Sequence, residues 1–340
     1  MARNTYGLDL GSYEIKVYDK KEDTIWKEKN AIAIQNQREI IAVGDDAYDM
    51  FERSPSSIEV VFPMQGGVIS KFNNMQFMLQ TLLKKNRRLV GGSEYVIAVP
   101  TDVTEVEKKA FFDLVIHSNA RAKEVNIVER AIADAIGLNQ DVENTKGIFI
   151  ANFGGETIDL SIIAGGGIVL NRLLKTGGVA FDQEIVNQVR FSHDFLIGRH
   201  TAETLRKRFG VFTGEKEAVL PVAGRDLITG LPMRKGVSQN LVRAALKEPL
   251  LECVRVIQSM LDRTPPEIRK SIYQNGIYLT GGAANMPGLE KYIERAVGIP
   301  TYIAEEPDIC AVYGLKRIMM SNELSKLAYS MLDENYRWMR

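Results

Sequence analysis

The chain has 340 residues, too many for one simple core, so two domains or a duplicated one are expected. Hydrophobic residues make up 45% and charged residues 25%, the balance of an ordinary globular protein rather than a disordered or fibrous one. Lys+Arg and Asp+Glu are both 43, so net charge is zero and no global field draws the chain onto nucleic acid or an anionic membrane. No stretch approaches the roughly 20 apolar residues that cross a bilayer, and Met1 to Thr5 leave no room for a signal peptide. Cys253 and Cys310 fit no disulfide or metal framework and read as reduced, buried thiols. His117, His193 and His200 have no ligand-like spacing.

In chain order, Tyr6 to Leu10 reads as a strand, Gly11 to Glu14 as a turn and Ile15 to Tyr18 as a return strand. Tyr95 to Val99 is a buried strand ending at Pro100. A helix is expected to start at Thr104, because Glu107 three residues on completes a capping box. Val106, Ala110, Phe111, Leu114 and Val115 give that helix an apolar face. Val125 to Val128 is a strand running into Glu129 and a helix from Arg130 to Ile136, stopped by Gly137. The first hairpin's pattern recurs: Gly147 to Asn152 is a strand, Phe153 to Glu156 a turn, and Thr157 to Ile163 a strand, which suggests an old duplication. Beyond it the chain reads as mostly helical, with helices over Phe181 to Asp194, Thr201 to Phe209 and Gln239 to Leu261, and another opened by Pro265-Pro266. Gly276 to Thr280 is a strand, Gly281-Gly282 a tight turn, and Pro287-Gly288 opens a helix containing Leu289 and Tyr292. The final helix begins near Cys310. Strands alternating with helices point to an α/β layered fold, and no low-complexity linker divides it.

Three glycine turns carry the chemistry. At Asp9-Leu10-Gly11-Ser12 a glycine lets backbone N–H groups approach a polyphosphate. Ser12 adds a hydroxyl, Lys16 a cation, and Asp9 a carboxylate able to hold magnesium through waters. Gly154-Gly155 before Thr157 repeats the cradle, and Leu279 to Asn285 runs a strand through a glycine turn that admits a base or ribose. Each alone is more often a plain structural turn; the three in this order and spacing are specific.

That order resembles actin, the heat-shock chaperone ATPases and sugar kinases, and most closely the MreB family of bacterial actin homologues, over nearly the whole chain. The matching segments are Phe62-Pro63-Met64 through Gly67-Val68-Ile69; Val99-Pro100 through Thr104-Glu105-Val106-Glu107-Lys108; Glu129 through Ala135-Ile136-Gly137; Leu196-Ile197-Gly198 with Thr201-Ala202-Glu203; Gly224-Arg225-Asp226-Leu227; Lys247-Glu248-Pro249-Leu250; and Leu279-Thr280-Gly281-Gly282-Ala283. The resemblance implies an α/β actin-like ATPase fold of duplicated ribonuclease-H-like domains, with two lobes around a nucleotide cleft. It implies ATP/ADP with Mg2+ as cofactor. Four subdomains are expected: 1–30, 64–145 and 312–340 (IA); 31–63 (IB); 146–180 and 241–311 (IIA); 181–240 (IIB). Asp9, Gly11, Ser12, Tyr13, Glu14 and Lys16 would line the first phosphate turn, and Asn152, Gly154, Gly155 and Glu156 the second. Glu203, Thr204, Leu205 and Arg206 would face the adenosine, and Gly281, Gly282, Ala283 and Ala284 the base and α-phosphate. Glu129 is the implied water-orienting residue; a helix-start carboxylate favoured by the macrodipole is the structural alternative.

The chain departs from the family pattern where chemistry is done. Asn152 stands where the family carries an aspartate beside metal and water, Glu156 replaces a glycine, and Val179 replaces an aspartate. Glu14 puts a second carboxylate by the phosphates, to be offset by magnesium or Lys16. Slow or absent ATP hydrolysis is therefore expected, because positioning and charge stabilisation are nearly all a protein contributes to phosphoryl transfer.

The resemblance also implies self-assembly into filaments, possible copolymerisation with a sister MreB, contact with wall-synthesis membrane proteins, and a peripheral place at the inner face of the cytoplasmic membrane governing cell shape. The short N-terminus leaves no amphipathic helix, so Leu89 and Val90, beside Lys84, Lys85, Arg87 and Arg88, are the membrane candidates; a solvated basic helix end is the alternative. The aromatic tail from Tyr329 is expected to dock on its own lobe or a partner. Two other functions fit the fold: a small-molecule kinase, and an actin-like adaptor that neither polymerises nor hydrolyses.

Overall fold

The structure is a computed structural model that describes residues 4–86, 92–117, 122–211 and 218–332. The chain divides into two compact units: Met1–Thr145, Ile163–Leu173 and Ile309–Arg340 in one, Lys146–Ile162 and Leu174–Asp308 in the other.

The first unit opens with a meander, β1 (Thr5–Leu10), β2 (Glu14–Asp19) and β3 (Thr24–Lys29). β4 (Ile32–Gln35), β5 (Glu39–Val43), the short α1 (Asp45–Asp49) and β6 (Ile58–Val61) follow, with a small sheet in the order β5-β4-β6. β7 (Met64–Gln65) and β8 (Val68–Ile69) form a minimal hairpin whose Gly66 and Gly67 both take positive φ, the requirement of a two-residue turn with matched twist. Then come α2 (Phe72–Asn86), β9 (Ser93–Val99), α3 (Glu105–Ile116), β10 (Ala122–Glu129) and α4 (Arg130–Gly137).

The main sheet runs β10-β9-β1-β2-β3, with β9 parallel to β1 and β10, and the meander antiparallel. β1 is buried on both faces from Tyr6 to Leu10, which is why it reads as a continuous run rather than an alternation. Leu8, Leu10, Ile15 and Val17 pack with Leu79 and Leu82 of α2 and Phe111 and Leu114 of α3. The capping box forms: Thr104 Oγ1 accepts from Glu107 N, and Glu107 accepts from Thr104 N. Val106 is 80% exposed, contrary to the expected apolar face; it sits in the first turn, off the stripe of Phe111, Leu114 and Val115.

The second unit, together with the stretch Ile163–Leu173 that counts with the first, contains β11 (Ile148–Phe153), β12 (Ile158–Ala164), β13 (Gly167–Leu174), α5 (Gly178–His193), β14 (Phe195–Leu196), α6 (Arg199–Phe209), β15 (Val219–Asp226), β16 (Pro232–Ser238), α7 (Gln239–Arg263), α8 (Pro266–Asn275), β17 (Ile277–Thr280), α9 (Leu289–Val297) and β18 (Thr301–Ile303). Its main sheet runs β13-β12-β11-β17-β18; the outer part of the β12–β13 hairpin counts with the first unit. Read as β3-β2-β1-β9-β10, the first sheet has the same order, a meander followed by two crossover strands, and the duplication glimpsed in the hairpins extends to whole sheets. The expected mostly helical stretch after the second hairpin is corrected by β13 and by the sheet β14-β15-β16. β15 and β16 carry Pro221, Gly224 and Gly236 and expose much of their surface, so they lack the apolar alternation by which a strand is recognised.

α10 (Cys310–Met320) returns to the first unit. Both cysteines are free and buried, and burial pushes the Cys253 thiol up to about 12. No helix among the described residues is long and apolar enough to cross a membrane.

Candidate phosphate turns

Each unit carries one turn of the same construction. In the first, Gly11 N donates to Glu14 O at 3.2 Å; in the second, Gly154 N donates to Thr157 O at 2.8 Å. A Cβ on Gly11 would lie 2.7 Å from Glu14 O, and one on Gly154 would lie 2.9 Å from Thr157 O. Only glycine closes either turn, and in both a polar residue, Asp9 or Asn152, stands two positions before it on the strand.

In the first unit, Asp9 is buried between two cations: Lys16 Nζ lies 3.5 Å from Oδ2 and Arg130 Nε 3.3 Å from Oδ1. Lys16 is its cross-strand neighbour in the β1–β2 register. Arg130, in the first turn of α4, also donates to Leu10 O. Asp9 Oδ1, the atom that faces Arg130, makes no hydrogen bond and so retains acceptor capacity. Ser12 is buried, and its Oγ accepts from Gly67 N at 3.2 Å, tying the turn to the β7–β8 hairpin. Asn30 donates from Nδ2 to Gly11 O and from its backbone to Tyr13 O, fixing the turn from β3's end.

Glu14 is offset by Lys29, not by Lys16 as expected. Lys29 Nζ lies 2.6 Å from Glu14 Oε1 and sits over the Tyr13 ring at 4.6 Å. Glu14 and Lys29 are register partners across β2 and β3; opposite charges at that spacing are the sequence signal that would have found the pair. Tyr13 donates to Tyr48 Oη at 3.1 Å, and Tyr48 packs with Phe51 and Phe62.

Glu129 ends β10 and is the N-cap of α4, yet its side chain makes no capping bond. Its Oε1 accepts from Tyr329 Oη at 2.8 Å and from Lys108 Nζ at 3.5 Å. Its place at the N-cap fits the helix-start reading, while its hydrogen bonds go to Tyr329 and Lys108 and not to the helix.

In the second unit, Gly178 N donates to Gly154 O and Val179 N to Gly155 O, so the first N–H groups of α5 lie against the turn's carbonyls. A Cβ on Gly177 would lie within 2.9 Å of turn backbone, which makes this seating possible only with glycine. Asn152 is the register partner of Thr280, and its Oδ1 lies 2.7 Å from where a Cβ on Gly281 would fall. Gly281 has φ +82, and a Cβ there would lie 2.4 Å from Phe153 O, so the third glycine turn is built onto the second. Ala283 and Ala284 are buried beyond it, and Gly282 lies against Asp308. Glu156 is half-buried at the turn.

Of the adenosine candidates, Arg206 is buried and bidentate with Asp182, at 2.7 Å (Nε–Oδ1) and 3.2 Å (Nη2–Oδ2), beside Gly178 and Ala283. Burial pushes the Asp182 carboxyl up, and Arg206 opposes this. Leu205 is fully buried in the core, and Thr204 is exposed, its hydroxyl donating to His200 O. Glu203 pairs with Lys207 at 2.7 Å. Leu89 and Val90 lie outside the described residues. Sequence reasoning missed Arg130, Lys29, Asp182 and Tyr329 as partners of site residues. Tyr329 is 200 residues from Glu129 and gives no local signal.

The family model described as "MreB/Mbl protein" matches residues 3–327. The cell shape-determining protein MreB of Escherichia coli (strain K12) is 32% identical over 323 residues, covering 92% of each chain. The cell shape-determining protein Mbl of Bacillus cereus (strain ATCC 10987 / NRS 248) is 32% identical over 320 residues, covering 93% of this chain and 95% of that one. The crystal structure of MreB5 of Spiroplasma citri bound to ADP superposes with a TM-score of 0.89 at 30% identity, over 94% of this chain and 97% of that one.

Proposed function

The chain belongs to the MreB/Mbl family and has its α/β actin-like fold, and on that premise we propose that it binds ATP or ADP with magnesium, assembles into filaments and governs cell shape at the cytoplasmic membrane. The observation that carries the nucleotide reading is the repeated glycine-closed turn, one in each unit, with a polar side chain two residues before each glycine. The remaining backbone N–H groups of such turns suit phosphate oxygens; those of Gly11, Gly154 and the start of α5 are taken by bonds that hold the turns. The binding of ADP by the Spiroplasma citri relative supports the same reading.

Magnesium fits the first turn, because Asp9 Oδ1 is a buried acceptor with no hydrogen bond; when bound, the ion neutralises charge on the terminal phosphates. Asp9 would hold it through waters, Ser12 would meet phosphate from the turn that Gly11 closes, and Glu129 would orient the attacking water. Gly281 to Ala284 and Glu203 to Arg206 would bound the nucleoside, with Arg206 acting through its pairing with Asp182. The division into subdomains IA, IB, IIA and IIB, and membrane contact through Leu89 and Val90, belong to the same proposal, as do a sister MreB and wall-synthesis proteins as partners.

A nucleotide titration paired with negative-stain imaging tests it. Saturable ATP binding and filaments with ATP–magnesium are expected. Persistent monomers that bind ATP would favour the second reading, a nucleotide-binding adaptor, to which Asn152 lends support.

A further inference from the structure

β10 is the edge strand of the first unit's sheet. The chain beyond α10 comes back to that edge: Ile127 N donates to Tyr329 O at 2.8 Å, and Tyr329 N donates to Ile127 O at 3.0 Å. Tyr329 and Met331 pack against the core beneath. Pairing with Ile127 brings the Tyr329 ring towards the end of the strand, where its hydroxyl meets Glu129 Oε1 at 2.8 Å.

The geometry points to Tyr329 as a positioning residue: docked on β10, it fixes the Glu129 carboxylate through Oε1 and leaves Oε2 as the acceptor for a water. This rests on the reading of Glu129 as the water-orienting group in ATP hydrolysis. Three torsions separate a glutamate carboxylate from its backbone, so an unheld one samples many orientations. Lys108 alone holds Glu129 poorly; its Nζ is 3.5 Å away and is shared with Glu105 at 3.7 Å. Arg130, the neighbouring cation on α4, is turned to Asp9 and Leu10 O. No described residue engages Glu129 Oε2. The short bond from the tail is therefore what orients this side chain, and it makes the region after α10 part of the site rather than a surface appendage.

Tyr329→Phe keeps the ring and its packing and removes only the donor. ATP affinity is expected within about twofold of wild type, while single-turnover phosphate release slows about tenfold, the scale of a misplaced but present catalytic group. Because only the orientation of Glu129 changes, the loss falls on the chemical step and not on binding. Wild-type phosphate release in Tyr329→Phe overturns the proposal. So does a loss of ATP affinity as large as the loss of rate, which would mark a structural role only. Glu129→Gln releasing phosphate as fast as wild type removes the role of Glu129 and the proposal with it. Failure of wild type to bind ATP is a separate result that sinks the nucleotide reading itself.

Discussion

Glu14 lies in a turn proposed to receive phosphates, and Lys29 at 2.6 Å cancels its charge before any ligand arrives. The pair is three-quarters or more buried on both sides, so water screens it less than a surface pair. Lys29→Met should leave Glu14 facing the phosphates and weaken ATP binding about fivefold, and adding Glu14→Gln should restore it. The double-mutant cycle isolates the coupling at about 1 kcal/mol; additive losses would show that Lys29 meets the nucleotide directly. Asn152 occupies the corresponding strand position in the second turn but brings an amide rather than a carboxylate. Asn152→Asp is expected to raise phosphate release at least tenfold with little change in ATP affinity, because the missing charge acts on the transition state more than on binding. An unchanged rate would move the cause of the expected slow turnover to Glu156 or Val179.

At the scale of elements, α4 and α10 are held together by two glycines. A Cβ on Gly137 would lie 2.3 Å from Cys310 O, and one on Gly314 would lie 1.8 Å from Ala133 O. Gly137 is thus the last residue of α4 and a packing contact; the chain turns after it at Asn139, with φ +60. The sequence showed the small residues of α4 and its end, which falls one residue past the expected Ile136, but not the packing of Gly137 on Cys310, over 170 residues away. Since α4 begins at Arg130, directly after Glu129, this crossing sets where both side chains stand. Gly314→Ala should destabilise the first unit by about 2–4 kcal/mol through overpacking. Its urea transition should move to lower denaturant, and Arg130 and Glu129 should lose their fixed positions with it. A shift within error would mean the helices separate cheaply.

Among the elements, those with a local cause were legible: the Thr104 capping box, the Pro265-Pro266 helix start, and the hairpins around Gly11 and Gly154 each follow from a few adjacent residues. β14 to β16 were missed because their surface is half-exposed and interrupted by proline and glycine.

For the whole molecule, the repeated sheet order argues that each unit is one copy of an ancestral layer, with its glycine-closed turn at the same place in the topology. The proposed membrane role is tested by pelleting with anionic liposomes, comparing wild type with the double variant Leu89→Glu/Val90→Glu. About 1 kcal/mol per basic residue near the surface is available from Lys84, Lys85, Arg87 and Arg88. Loss of pelleting in the variant is expected; equal pelleting sinks the membrane role.

By itself the sequence determined the α/β class, the family resemblance and the three glycine turns, because strand patterns, caps and turns are written in neighbouring residues. Only the tertiary structure decided what those turns are held by. Lys29 takes Glu14, Arg130 takes Asp9, Asp182 takes Arg206, and Tyr329 reaches Glu129. Lys29 faces Glu14 only in a specific strand register, and Tyr329 meets Glu129 only where the chain after α10 pairs with an open sheet edge. Such long-range pairings come from packing the completed fold, and no local pattern encodes them.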